Sequence, residues 1–109
     1  MKSALKFTML GMVLGAAAAQ AQNPANGKAL FVKQQCARCH GTDGQGGAGA
    51  RLAPNPLPVP AMQKYVRNPT GVMPPYTSQV SDADIADIRA YLATVPAPPA
   101  VKDIPLLNQ

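Results

Sequence analysis

Apolar residues recur at helical spacing in two well-separated stretches of this chain, and prolines and glycines crowd the space between them. The clearer stretch lies late in the sequence, where Ile85, Ile88, Leu92 and Val95 repeat every three to four positions with Tyr91 bordering the stripe. Ser81 precedes it as an N-cap, Asp82 and Asp84 suit the positive amino end of the helix dipole, and Pro96 stops it. The earlier stretch predicts a helix from about Pro24 to Gln35, with Asn23 as N-cap and proline at the first helical position. A shorter helix is expected from about Ala61 to Arg67, where Met62, Tyr65 and Val66 share a face and Asn68-Pro69 ends the turn. No run of β-branched residues marks a strand, so the pattern predicts an all-α domain with three main helices.

The connections are unusual in composition. Gly41 to Gly49 holds five glycines, which suits either a plain linker or a loop whose backbone passes close to another group. Pro54-Asn55-Pro56-Leu57-Pro58-Val59-Pro60 alternates prolines, which favours a stiff extended path and excludes helix. The last segment, Pro96 to Gln109, is Pro-rich and ends in Ile104, Leu106 and Leu107. It is a loose tail or a strap, and the three aliphatics favour a strap packed on the domain.

The amino terminus reads as an export signal. Lys2 and Lys6 form a basic start, Phe7 to Ala19 is apolar, and Ala19-Gln20-Ala21 is a small-x-small cleavage site. The apolar stretch is shorter than the roughly 20 residues of a spanning helix, so cleavage leaves no membrane span. Residues 1–21 are then the signal peptide and 22–109 a single domain, placed in the periplasm. Lys2 and Lys6 leave with the signal, and the remainder carries eight basic and five acidic side chains, a net charge of +3. No basic cluster interleaved with aromatics is present, which argues against nucleic-acid binding. Lys28, Lys33, Arg38, Lys64 and Arg67 are either an ordinary solvated surface or a patch that steers an acidic partner.

Cys36-Ala37-Arg38-Cys39-His40 carries the chemistry. A Cys-x-x-Cys-His run is the attachment pattern of a c-type haem, in which both sulfurs form thioethers to the porphyrin and the adjacent imidazole becomes an axial iron ligand. A structural disulfide would not need His40. A thioredoxin-like pair would follow a strand, and here the motif follows a helix. A structural zinc site wants four ligands, and this chain offers two cysteines and one histidine. Haem also answers a deficit in the core: after the signal the chain has one Phe (Phe31), three Tyr and no Trp. A domain this small gains stability from a buried porphyrin.

The sixth iron ligand follows by elimination. His40 is the only histidine, so a thioether is the remaining usual choice. Met1, Met9 and Met12 leave with the signal, Met62 belongs to an apolar helix face, and Met73 lies in the stiff non-helical segment Pro69-Thr70-Gly71-Val72-Met73-Pro74-Pro75. Met73 is the expected ligand and Met62 the core filler.

With Gly27-x-x-x-Phe31, Cys36-x-x-Cys39-His40-Gly41, Met73-Pro74-Pro75-Tyr76 and the Ser81–Leu92 helix in place, the mature chain resembles a class I, single-haem bacterial cytochrome c. The resemblance implies a small all-α cytochrome c fold, three main helices wrapped around one covalently bound haem c. It also implies a close crossing of first and last helices, with Gly27 opposite Tyr91 or Leu92. It further implies a backbone carbonyl that accepts a hydrogen bond from the ligand histidine, for which Leu52-Ala53-Pro54 is the nearest match. The function implied is one-electron transfer between redox partner proteins such as a periplasmic dehydrogenase or terminal oxidase. A soluble shuttle and a haem subunit of a dehydrogenase complex both fit. A gas-binding sensor needs an open sixth position, against which Met73 argues, and peroxide chemistry needs a distal acid or base that no second histidine supplies.

Overall fold

A computed structural model of the chain describes residues 22–109, and the expected signal peptide, residues 1–21, lies outside the described residues. Within them the chain forms four α-helices, α1 (Pro24–Lys33), α2 (Ala37–His40), α3 (Val59–Arg67) and α4 (Asp82–Thr94), followed by two short 3-10 turns, and no strand is present among them. The all-α expectation holds, with one turn of helix, α2, added at the cysteine motif.

Helix α1 begins as expected: the Asn23 side chain accepts from the Asn26 amide at 3.1 Å, and Pro24 opens the first turn. It stops two residues earlier than expected, because Gln35 adopts a left-handed backbone with φ of 64°. That single residue turns the chain from α1 into α2 and separates Phe31 from the cysteines. Helix α3 starts at Val59, two residues before the expected Ala61. Proline is tolerated in a first helical turn, where its missing N–H has no intrahelical partner, so Pro60 opens α3 instead of excluding helix.

Helix α4 is closed at its amino end by a reciprocal pair: Ser81 Oγ accepts from the Asp84 amide at 3.0 Å, and the Asp84 carboxylate accepts from the Ser81 amide at 3.2 Å. Ile85, Ile88, Tyr91 and Leu92 are all buried. Phe31 and Leu92 are 0% exposed, and the Phe31 ring meets Tyr91 at 5.9 Å between centroids, tilted by 58°. Full burial of each such side chain contributes about 1.5–3 kcal/mol.

The crossing of α1 and α4 is close because Gly27 has no side chain. A Cβ at that position would overlap the Asp87 carbonyl and come within 2.8 Å of the Ile88 nitrogen. Gly27 therefore faces Asp87 and Ile88, and the expected partners Tyr91 and Leu92 lie one turn further on, where the Phe31 ring occupies the crossing. Asp87 also fastens the ends of the two helices: its carboxylate accepts from the Asn23 amide at 2.8 Å and from Asn26 Nδ2 at 2.8 Å. Those bonds, Asn23 first, hold its carboxyl below the usual range.

The carboxyl-terminal segment does not form the expected strap. Val101 is 66% exposed, Leu106 80% and Leu107 61%. The segment folds on itself, with Asn108 Nδ2 donating to the Val101, Lys102 and Ile104 carbonyls at 3.2, 2.6 and 3.1 Å. These local bonds satisfy the backbone without help from the helices.

Candidate functional site

A cavity of about 630 Å³ opens between α2, α3, α4 and the loops that join them. Its size falls within the roughly 300–1,000 Å³ of a small-molecule or cofactor site. Phe31, Leu52, Met62, Val80, Ile85 and Ile88 give it an apolar wall, and Cys36, Cys39, His40 and Met73 also line it. The four side chains singled out in the sequence thus face one space. Met62 faces it too, from within the buried cluster.

The cysteine motif is presented by α2. Cys36 caps the helix, Cys39 and His40 lie in its single turn, and the two cysteines are not joined in a disulfide. Burial pushes the Cys36 thiol above its ordinary value, opposed by a smaller backbone hydrogen bond. Burial also raises the Tyr76 phenol, with smaller contributions from Cys36 and Cys39. Among the described residues no three His, Cys, Asp or Glu side chains gather as a metal-binding set, which leaves the zinc reading without a donor cluster.

His40 is oriented by the glycine loop. Its Nδ1–H donates to the Ala50 carbonyl at 2.7 Å. A carbonyl oxygen only accepts, so Nδ1 carries a proton, and in the neutral ring this leaves the Nε2 lone pair to bind a metal. The accepting group is Ala50, not the expected Leu52-Ala53-Pro54 segment, because the loop turns back earlier. The Gly49 amide donates to the Cys39 carbonyl at 2.7 Å and the Gly46 amide to the His40 carbonyl at 2.8 Å. A Cβ on Gly49 would press to 3.0 Å from the His40 ring. Gly41 to Gly49 is therefore a close-packed bracket for the imidazole, and the plain-linker alternative falls away.

Met73, also on the cavity lining, occupies the loop between α3 and α4, next to the fully exposed Val72. Tyr76 ends this loop, its Oη donating to the Gln34 carbonyl at 2.7 Å. The basic residues divide into two groups. Arg67 is not available as docking charge: it pairs with Asp82 at 2.8 Å, and its side chain is only 25% exposed. Arg38 lines the cavity and donates to Gln35 Oε1 at 2.9 Å. Arg51, also on the cavity wall, was not anticipated from the sequence.

Over residues 22–92, two thirds of the chain, the sequence matches the family described as Cytochrome C oxidase, cbb3-type, subunit III. The chain belongs to this family. A cytochrome c domain of this kind carries haem c and transfers electrons, and the cavity fits that group: paired thiols, an imidazole with a free Nε2, a thioether in the same lining and an apolar wall. The match ends at Leu92, within α4. No curated protein and no solved structure matches the chain. No helix among the described residues is long and apolar enough to cross a membrane.

Proposed function

We propose that this cytochrome c is a periplasmic one-electron shuttle holding one haem c, tethered through Cys36 and Cys39 and ligated by His40 and Met73. The observation that carries the reading is the shared cavity, with the His40 proton fixed on Nδ1 by Ala50. When bound, haem supplies an iron that cycles between Fe(III) and Fe(II). Cys36 and Cys39 fix its position covalently. His40 offers the Nε2 lone pair, made more basic by the bond from Nδ1–H to Ala50. Met73 would offer a neutral thioether, which favours the reduced state and would keep small ligands from the iron. Phe31, Ile85 and Ile88 exclude water and lower the local dielectric.

The exposed aliphatics of the tail favour a second reading, a haem subunit held to a dehydrogenase through residues 96–109. Export and attachment are tested together by expression in a host with haem-maturation machinery. Intact mass should show one covalent haem on a chain beginning at Gln22, and Cys36→Ala with Cys39→Ala should lose it. A folded protein lacking covalent haem would refute the reading. In the haem-loaded protein, Met73→Ala should admit cyanide to the ferric iron and carbon monoxide to the ferrous iron, and should lower the reduction potential.

A further inference from the structure

The loop that carries Met73 has few attachments of its own. Among the described residues no hydrogen bond ties residues 71–75 to the rest of the chain, and Gly71 adopts a left-handed backbone with φ of 68°. The position of Met73 is therefore set by what holds the two ends of the loop. At the leading end Tyr65 Oη and Thr70 Oγ1 share a hydrogen bond of 2.8 Å. At the trailing end the Tyr76 amide donates to the Val66 carbonyl at 3.0 Å and the Tyr76 Oη to the Gln34 carbonyl at 2.7 Å.

Arg67 joins these attachments to the following helix. From the last turn of α3 its Nη1 donates to the Tyr76 carbonyl at 2.9 Å and to the Thr77 carbonyl at 2.5 Å, while Nη2 meets Asp82 Oδ1 at 2.8 Å. One planar guanidinium thus bridges the end of α3, the far end of the Met73 loop and the start of α4. Gln63 Nε2 adds a bond to the Asp82 carbonyl at 3.0 Å, holding the same helix end. The fork is essential to this role, because an ammonium at the end of a lysine cannot reach three acceptors in the same plane. The Asp82 carboxylate is 71% exposed, so the ion pair is screened by solvent and the bonds to the two neutral carbonyls, of which the one to Tyr76 is part-buried, carry the bridge.

We infer that Arg67 is a positioning residue of the sixth ligand, acting with the Tyr76 and Thr70 bonds to close the loop 68–76 so that Met73 is held at the cavity. The inference rests on the reading of Met73 as an iron ligand. Arg67 does not line the cavity and acts only through the loop. Its loss releases the Tyr76 and Thr77 carbonyls and the Asp82 carboxylate, and the loop opens more often. An external ligand binds only the open form, so its apparent rate rises in proportion to that population.

The test is cyanide binding to the ferric haem-loaded protein, read together with the Met-to-iron charge-transfer band, in the wild type, Arg67→Ala, Arg67→Lys, Asp82→Asn, Met73→Ala and the double variant Arg67→Ala/Met73→Ala. Tyr91→Phe, which loses a hydrogen bond outside the loop, controls for general destabilisation. Arg67→Ala is expected to bind cyanide about tenfold faster than wild type, with a weakened band. Arg67→Lys should recover little of the difference, and Asp82→Asn should show a smaller rise because its amide oxygen still accepts. The double variant should match Met73→Ala alone, since a residue that acts through Met73 has nothing left to hold. A fast Met73→Ala with Arg67→Ala no faster than Tyr91→Phe overturns the role of Arg67. A Met73→Ala rate equal to wild type overturns the ligand assignment itself. If Arg67→Ala does not fold, Arg67→Lys and Asp82→Asn decide the question by the same comparison.

Discussion

Gly27 lies directly against the backbone of Asp87, with no room between α1 and α4 for even a methyl group. Neither backbone can yield without parting the helices, and both are fastened nearby by the Asn23 and Asn26 bonds to the Asp87 carboxylate. Gly27→Ala should therefore cost about 3 kcal/mol, despite the better helix propensity of alanine. Urea denaturation of the haem-loaded protein measures it. A neutral or stabilising result would mean that the crossing is looser than the contact implies.

Tyr91 is the second test of this helix pair. Its Oη donates to Asp43 Oδ1 at 2.8 Å, and burial, then the bond and charge of Asp43, push its phenol from 10.0 up to about 12. The folded state thus keeps a proton that the unfolded chain releases, so the contribution is complete below pH 10 and is lost as pH rises from 10 towards 12. Stability should fall across that window in the wild type. Tyr91→Phe should remove this part of the fall and cost about 1–2 kcal/mol at neutral pH. Denaturation curves at pH 7, 10 and 11.5 distinguish the two proteins.

The elements that were legible in the sequence are those whose cause is local. Ser81, Ile85, Ile88 and Leu92 announce α4 because cap and stripe lie within its own residues, and Cys36, Cys39 and His40 announce a haem because the spacing is dictated by the porphyrin. The rest depends on partners distant in sequence. Any residue has a carbonyl, so nothing marks Ala50 as the one beneath His40. Gln35 carries no signal for a left-handed backbone, which glycine or asparagine would have given. Arg67 reads as surface charge until Tyr76, Thr77 and Asp82 are seen around it.

Met62 separates packing from ligation. It is buried within the apolar cluster while also facing the cavity, so Met62→Ala removes a wall contact and leaves space beside the proposed haem. The expected cost is about 2–5 kcal/mol, with the Met-to-iron band retained. If Met62→Ala abolishes that band and Met73→Ala preserves it, the two methionines have exchanged roles.

The tail and the basic residues give opposite expectations for partner binding. Residues 96–109 make no hydrogen bond to the helices, so their deletion should change stability by no more than about 0.5 kcal/mol. With Arg67 committed to Asp82, Lys28, Lys33, Arg38 and Lys64 of the expected patch remain to steer an acidic partner, joined by the exposed Arg51 on the cavity wall. Exposed charges act over about 10 Å at 0.1 M salt, so the association rate of a shuttle should fall steeply as ionic strength rises. Deleting the tail should leave that rate unchanged. Stopped-flow reduction by an isolated partner, measured across salt for full-length and tail-deleted protein, reads both effects. A complex that survives high salt and dissociates when the tail is removed would replace the shuttle with the subunit reading, because apolar contacts persist where screened charges do not.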